Sequence, residues 1–278
     1  MPKRYLLSKH GLWFGFIWVL VNLAGFPFLS FAAQPEPSAS QLNVHLDQGL
    51  LRVGISSNAP PLAFKQGAAL VGAEPELAKA LANHLGKKIQ FVELKWEEQI
   101  PALLARRTDI IMSGMTITSM RKVRIAFSQP YFRTGQMALI HEKVRDRFPQ
   151  SYYGILAQAV FLKIGVAKGT TGEQFVRQDF STAKKIIAYD TSNLAITGLK
   201  KGEIDLYIHD APIILWLASE NETQGLAPLP SLMTEEYLAW GIRKEDEELL
   251  KAANQFIDQM RQQKKLQEIL YRWIPFLK

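Results

Sequence analysis

Twice along its length this chain passes through strand, helix, strand, helix and strand in that order. In the first run, "LRVGISS" (Leu51 to Ser57) is a short β pattern. "PELAKALANHLG" then sets Leu77, Ala80, Leu81 and Leu85 at helical spacing before Gly86, which ends the helix. "KIQFVEL", "EEQIPALLARR" and "DIIMS" continue as strand, helix and strand. In the second run, Lys163 to Gly169 is a strand entering a Gly/Thr turn, Thr171 to Phe180 a helix, and "KKIIAY" a strand. Asn193 to Lys200 follows as a helix and "EIDLYIHD" as a strand. Parallel strands require crossover helices, so this alternation selects an α/β architecture with helices on both sheet faces.

The two runs share a weak local signature. "LLARRTDIIMSG" and "GLKKGEIDLYIHD" each lead from a helix end through a basic pair and an aspartate into an apolar strand with a polar far end. Basic residues at helix carboxyl ends are common, so coincidence competes with an internal repeat. Chain length permits one large core or two modest ones.

Ligands of open α/β sheets bind beyond the carboxyl ends of the strands, where backbone amides and helix starts face a crevice. Two polar stretches lie there: "SGMTITSMR" (Ser113 to Arg121) and the pair His209-Asp210. If the runs form separate lobes, these ends can face each other across a cleft.

Composition removes several alternatives. The net charge of +7 comes from dispersed lysines and arginines with no basic stripe, so a nucleic-acid partner is not expected. The chain has no cysteine, which excludes disulfides, thiolate metal sites, cysteine nucleophiles and a lipidated amino-terminal cysteine. His45, His84, His141 and His209 show no metal-ligand spacing, and neither a GxSxG elbow nor a Walker loop occurs, so neither metal nor cofactor is expected.

Residues 1–33 read as a signal peptide: Lys3, Arg4 and Lys9 precede an apolar stretch, and Ser30-Phe31-Ala32 fits a small-x-small rule with cleavage after Ala32 or Ala33. An uncleaved membrane anchor is the alternative, although Asn22, Gly25 and Pro27 interrupt the apolar stretch. Cleavage would remove three positive charges and no acids, leaving about +4. Residues 34–48, with prolines and serines and no periodicity, form a flexible lead, and folding should start near Gly49.

From about Leu51 to Leu277 the chain resembles the polar amino-acid-binding proteins of ABC importers, the family 3 periplasmic solute-binding proteins. The stretches that carry the resemblance are "LRVGISSNAPPLAF", the long run from "VGAEPELAKAL" to "FSQPYF", "KIGVAKGTTGEQF", "GEIDLYIHDAPI" and "WGIRKEDEELLKAANQFIDQMRQQKKLQEILYRW"; the most specific block is "MTIT..R" followed by "FSQPY". The resemblance implies a two-lobed type II flytrap with two hinge crossings. Residues 49–139 plus 237–278 would form one lobe and 140–236 the other. It also implies a periplasmic monomer that takes a small-molecule ligand, an amino acid, to an ABC permease in the inner membrane. Val144 to Val160 departs from the family's short acidic linker by being longer and more apolar.

The site follows residue by residue from this resemblance. Arg121, whose planar fork matches a carboxylate, would clamp the ligand's α-carboxylate; on residue type alone a surface ion pair is the competing reading. Thr116 would add a hydroxyl or amide, Ser113 and Gly114 backbone groups, with Gly114 admitting close approach; Thr118 and Ser119 read as turn residues. Asp210 would receive the ligand's α-ammonium, or cap the helix Ala211 to Ser219, or both. Thr170 and Thr171 would donate to the carboxylate from a helix start. Trp96 would cover the ligand's side chain rather than join the core. Ser56 and Asn58 lie in the first loop, where Ala59 replaces the usual aromatic, and Ala73 and Glu76 replace an aromatic and an aspartate. His209 reads as a core residue.

Two other functions fit the same fold. A cyclohexadienyl dehydratase-like enzyme would need an acid near the carboxylate-binding loop, for which Glu173 is the candidate. A ligand-sensing module would need a fused output domain, and a complete signal transducer is not expected. Binding without chemistry is the expected role: the ligand meets Arg121 in the open cleft and Asp210 on closure, so closure is driven by contacts that exist only in the closed state.

Overall fold

A computed structural model describes residues 49–274. The signal peptide and the flexible lead lie outside the described residues. The first segment comprises β1 (Leu50–Ile55), β2 (Asn58–Ala59), β3 (Ala63–Gln66), β4 (Ala69–Val71), α1 (Ala73–His84), β5 (Lys88–Glu93), α2 (Gln99–Leu104), β6 (Ile110–Ile111), α3 (Ser119–Arg124), β7 (Ala126–Phe127) and β8 (Phe132–Thr134). The middle segment comprises β9 (Gln136–His141), α4 (Tyr152–Ala157), β10 (Lys163–Ala167), α5 (Thr171–Asp179), β11 (Lys185–Tyr189), α6 (Ser192–Lys200), β12 (Leu206–Asp210), α7 (Ala211–Glu220) and β13 (Leu226–Pro228). The last comprises β14 (Glu236–Leu238), β15 (Gly241–Ile242), α8 (Glu247–Gln262) and α9 (Lys265–Trp273).

Two five-stranded sheets organise these elements, one in the order β5-β1-β6-β15-β7 and the other β11-β10-β12-β9-β13. In each, the strands of the βαβαβ run pair in parallel and a strand from outside the run, the later β15 in the first sheet and the earlier β9 in the second, lies antiparallel against the third. This is the α/β architecture that the alternation selects, in the two-lobed form that the family resemblance implies. The two signature stretches occupy equivalent places, ending in β6 and β12. Their aspartates act alike: Asp109 accepts the backbone N–H of Arg52 at 2.9 Å, and Asp205 that of Lys163 at 2.7 Å. Each satisfies a backbone donor on its neighbouring strand, Arg52 in β1 and Lys163 at the start of β10.

The first lobe packs α1 and the carboxyl-terminal helices α8 and α9 against its sheet, around Leu77, Leu81, Trp240, Phe256 and Leu270. The second lobe has one core on each sheet face. The long apolar segment Val144 to Val160 folds onto one of them: Phe148, Ile155 and Ala159 are buried against Val176 and Phe180. The Tyr152 hydroxyl donates to Asp179 Oδ2 at 2.6 Å.

The first crossing lies earlier than the expected division between residues 139 and 140. Strand β9 belongs wholly to the second sheet, through β12 and β13, so the chain crosses at Gly135. The return crossing falls between Thr234 and β14, which pairs with β8 in a two-stranded ribbon. The crossings touch: Gln136 N donates to Thr234 Oγ1 at 2.9 Å and Met233 N to Gln136 O at 2.8 Å. A Cβ on Gly135 would lie 2.0 Å from the Thr234 carbonyl oxygen. Gly135→Ala is therefore expected to cost about 1–3 kcal/mol in chemical denaturation, the range for overpacking; an unchanged midpoint would show that the crossings separate freely.

Candidate functional site

The carboxyl ends of β1 and β6 in the first lobe and of β10 and β12 in the second face one another across a cleft of about 640 Å³, its open mouth included. Ser56, Asn58, Trp96, Ser113, Gly114, Thr116, Arg121, Thr170, Thr171 and Asp210 all line it.

After β6 the chain makes a single bridge, Thr116 against Leu238, and then enters α3. Thr118 caps that helix, its Oγ1 accepting Arg121 N at 3.2 Å. The cap sets the rotation of α3 and turns Arg121 inward. Arg121 Nη1 donates to the Thr116 carbonyl at 2.8 Å, and its guanidinium carbon stands 5.2 Å from the centroid of the Trp96 ring. Burial draws the guanidinium below its usual pKa against the opposing pull of Asp210 and Glu236. Only part of its donor fork is spent on the protein, so a carboxylate in the cleft meets an oriented cation.

Asp210 ends β12 and is buried, 6% exposed. The helix-cap reading fails, because its side chain makes no capping bond to α7. Its Oδ1 instead accepts from Gln136 Nε2 at 2.7 Å. His209 is buried behind it, its Nδ1 accepting Asp210 N at 2.7 Å while its ring meets Tyr207 edge-on. It also borders the cleft.

Several of the expected helpers work indirectly. Ser113 Oγ accepts Ser56 N at 2.9 Å, and Ser56 Oγ donates to Leu94 O at 2.9 Å, so these hydroxyls tie the loops after β1, β5 and β6 together. Gly114 has φ +68° and a Cβ there would lie 2.6 Å from Leu62 Cδ1. Its glycine is thus required by backbone conformation and by Leu62. Its N–H is spent on Glu74 Oε1 at 2.6 Å. Thr170 caps α5, accepting Glu173 N at 3.3 Å and donating to Ala167 O at 2.7 Å. The lobes meet directly where Trp96 Nε1 donates to the Gly169 carbonyl at 2.8 Å.

Glu236 and Gln136, both in the hinge, are the residues that motif reasoning missed. Alternation along Thr234-Glu235-Glu236-Tyr237-Leu238 could have found Glu236, since it points inward while its neighbours are exposed. Glu173 is turned away: it accepts Gly169 N at 2.7 Å and pairs with Arg177 at 2.8 Å. Burial raises its pKa, but those two partners and Lys168 bring it below the usual carboxylate range. Among the described residues, no group of three His, Asp or Glu is placed to hold a metal.

Beneath the Ser113 to Thr116 loop lies Glu74, fully buried and bonded by Gly114 N, Tyr131 OH at 2.7 Å and Trp240 Nε1 at 3.1 Å. Burial pushes its carboxyl from 4.5 up to about 7, against those three hydrogen bonds. Between these values the folded chain holds a proton that the unfolded chain has lost. Its contribution to stability is therefore complete below pH 4.5 and declines as pH rises towards 7. Relative to Glu74→Gln, the native protein should lose on the order of 3 kcal/mol across that window, measured by urea unfolding. Parallel curves for the two proteins would rule this out.

A family model described as bacterial extracellular solute-binding proteins, family 3, matches residues 51–276, and the chain belongs to that family. It is 30% identical over 256 residues to the L-cystine-binding protein TcyJ of Escherichia coli (strain K12), covering 90% of each chain. A similar solved structure is the ancestral amino acid-binding protein AncCDT-1, a precursor of cyclohexadienyl dehydratase: 32% identity, TM-score 0.75, covering 84% of this chain and 98% of that one. Another is a putative ABC-transporter binding component from Wolinella succinogenes DSM 1740 complexed with lysine, at 29% identity and TM-score 0.77, covering 82% and 96%. The protein is thus an extracellular solute-binding protein on the two-lobed α/β fold.

Proposed function

We propose that this protein captures an amino acid, or a similar small zwitterion, by closing its lobes and delivers it to an ABC permease. It would work as a periplasmic monomer after loss of residues 1–33. The observation that carries the reading is the opposition of charge across the cleft: Arg121 on the first lobe and Asp210 on the second border the same space. A carboxylate and an ammonium on one α-carbon match that pair. Relatives whose names give cystine, arginine and histidine as ligands support the ligand class. The binding role needs Asp210 as a fixed charge but no proton-donating acid beside the carboxylate loop, and the turned-away carboxyl of Glu173 favours it over a dehydratase.

The test is a thermal-shift screen of the mature protein with the standard amino acids and cystine. At a ligand concentration of about 100 Kd the true ligand should raise the melting temperature by roughly 5–10 °C. No shift with any of them would defeat the proposal. Incubation with prephenate or arogenate should leave both compounds unchanged, and product formation would favour the enzyme.

A further inference from the structure

Glu236 lies on the hinge ribbon, buried beside the cleft, and draws four donors onto its two oxygens. Thr116 Oγ1 of the first lobe and Thr171 Oγ1 of the second both donate to Oε2 at 2.8 Å. Gln136 Nε2 donates to Oε1 at 2.8 Å and Thr234 Oγ1 to the same atom at 3.0 Å. An ionised carboxylate only accepts, so each of these groups must point its hydrogen at Glu236. A hydroxyl has one hydrogen. Once Thr116 and Thr171 have given theirs away, their two oxygens have only lone pairs to offer a ligand. The same carboxylate orients the Gln136 amide, whose Nε2 donates to Glu236 and Asp210 and also lies 3.4 Å from Thr171 Oγ1, while its buried Oε1 stays without a partner.

We infer that Glu236 is a positioning residue that sets the polarity of the cleft: it turns two hydroxyls, one from each lobe, into acceptors beside Asp210. The side chains of Thr116, Thr171 and Asp210 then offer acceptors alone, which suits an ammonium with three donors and none to accept. A ligand with a hydroxyl in that position supplies one donor for several acceptors and leaves buried lone pairs unpaired, which is penalised. Glu236 therefore makes the protein select amino acids against their 2-hydroxy acid counterparts, and only when the lobes are together, because Thr171 reaches Glu236 from the second lobe.

This inference rests on the proposed amino-acid reading. The probes are the standard amino acid giving the largest thermal shift and the 2-hydroxy acid of the same side chain, titrated by calorimetry. The native protein should prefer the amino acid by roughly 100-fold or more. In Glu236→Gln the new amide donates to a threonine oxygen and frees a hydroxyl hydrogen into the cleft, so the preference should shrink at least about tenfold. Glu236→Asp keeps an acceptor-only group and should hold the preference within about threefold. If Glu236→Gln weakens both probes equally, Glu236 is merely structural and the inference fails while the amino-acid reading stands. If the native protein binds no amino acid, both fail. Should Glu236→Gln not fold, Thr171→Val removes one acceptor and must also lower the preference; an unchanged ratio would overturn the inference.

Discussion

Arg121→Ala should abolish ligand binding at any practical concentration. The cleft holds this guanidinium by one bond to the Thr116 carbonyl and by the face of Trp96, leaving the rest of the fork for a carboxylate. Truncating one partner of a buried, hydrogen-bonded charge pair costs about 2–5 kcal/mol, much of it the penalty of leaving the other charge unpaired. Near the upper part of that range the loss is about a thousandfold. Arg121→Lys should recover only part of it, because a point charge replaces a planar fork. The melting temperature of the ligand-free protein should barely change, since Arg121 lies at the cleft and not in either core; a large drop would mean that lost binding reports unfolding. Calorimetry on the alanine and lysine variants distinguishes these outcomes.

Asp210→Asn carries the second large effect. Asparagine keeps the shape and can still accept from Gln136 through its carbonyl, so β12 and the hinge should stay in place. What it loses is the negative charge that an ammonium needs. The expected loss is about 3 kcal/mol, or roughly a hundredfold in Kd. Because Asp210 belongs to the second lobe, the loss also falls on closure: residual binding should occur through Arg121 with less compaction in small-angle scattering. Native affinity in Asp210→Asn would place the ammonium elsewhere.

Much of this arrangement is legible in the chain before folding. Hydrophobic spacing and terminators give the two βαβαβ runs, with Thr171 to Phe180 differing from α5 by one residue at its end. The carboxyl-end rule for open sheets brings "SGMTITSMR" and His209-Asp210 to one place, and Arg121 and Asp210 do border the same cleft. The first crossing was hidden because the body of β9, Met137 to Ile140, is apolar and buried, and a strand buried on both faces carries no mark of which sheet it joins. The only sign is Gly135, whose meaning lies in a carbonyl nearly a hundred positions away. Glu236 was hidden for a related reason. It follows Glu235, an exposed residue paired with Arg133 at 2.9 Å, and nothing but strand alternation separates a buried hub from its surface neighbour. The roles of Ser56, Ser113 and Gly114 were obscured because loop-to-loop bonds span about forty to sixty positions.

The most direct measurement dissects one ligand. The amino acid that the thermal screen selects is titrated by calorimetry beside its decarboxylated amine and its des-amino acid. Two-point capture by Arg121 and Asp210 predicts that each fragment binds at least about a hundredfold more weakly than the intact zwitterion, since each leaves one buried charge unpaired. Binding of either fragment with the affinity of the whole amino acid would contradict capture between these two residues.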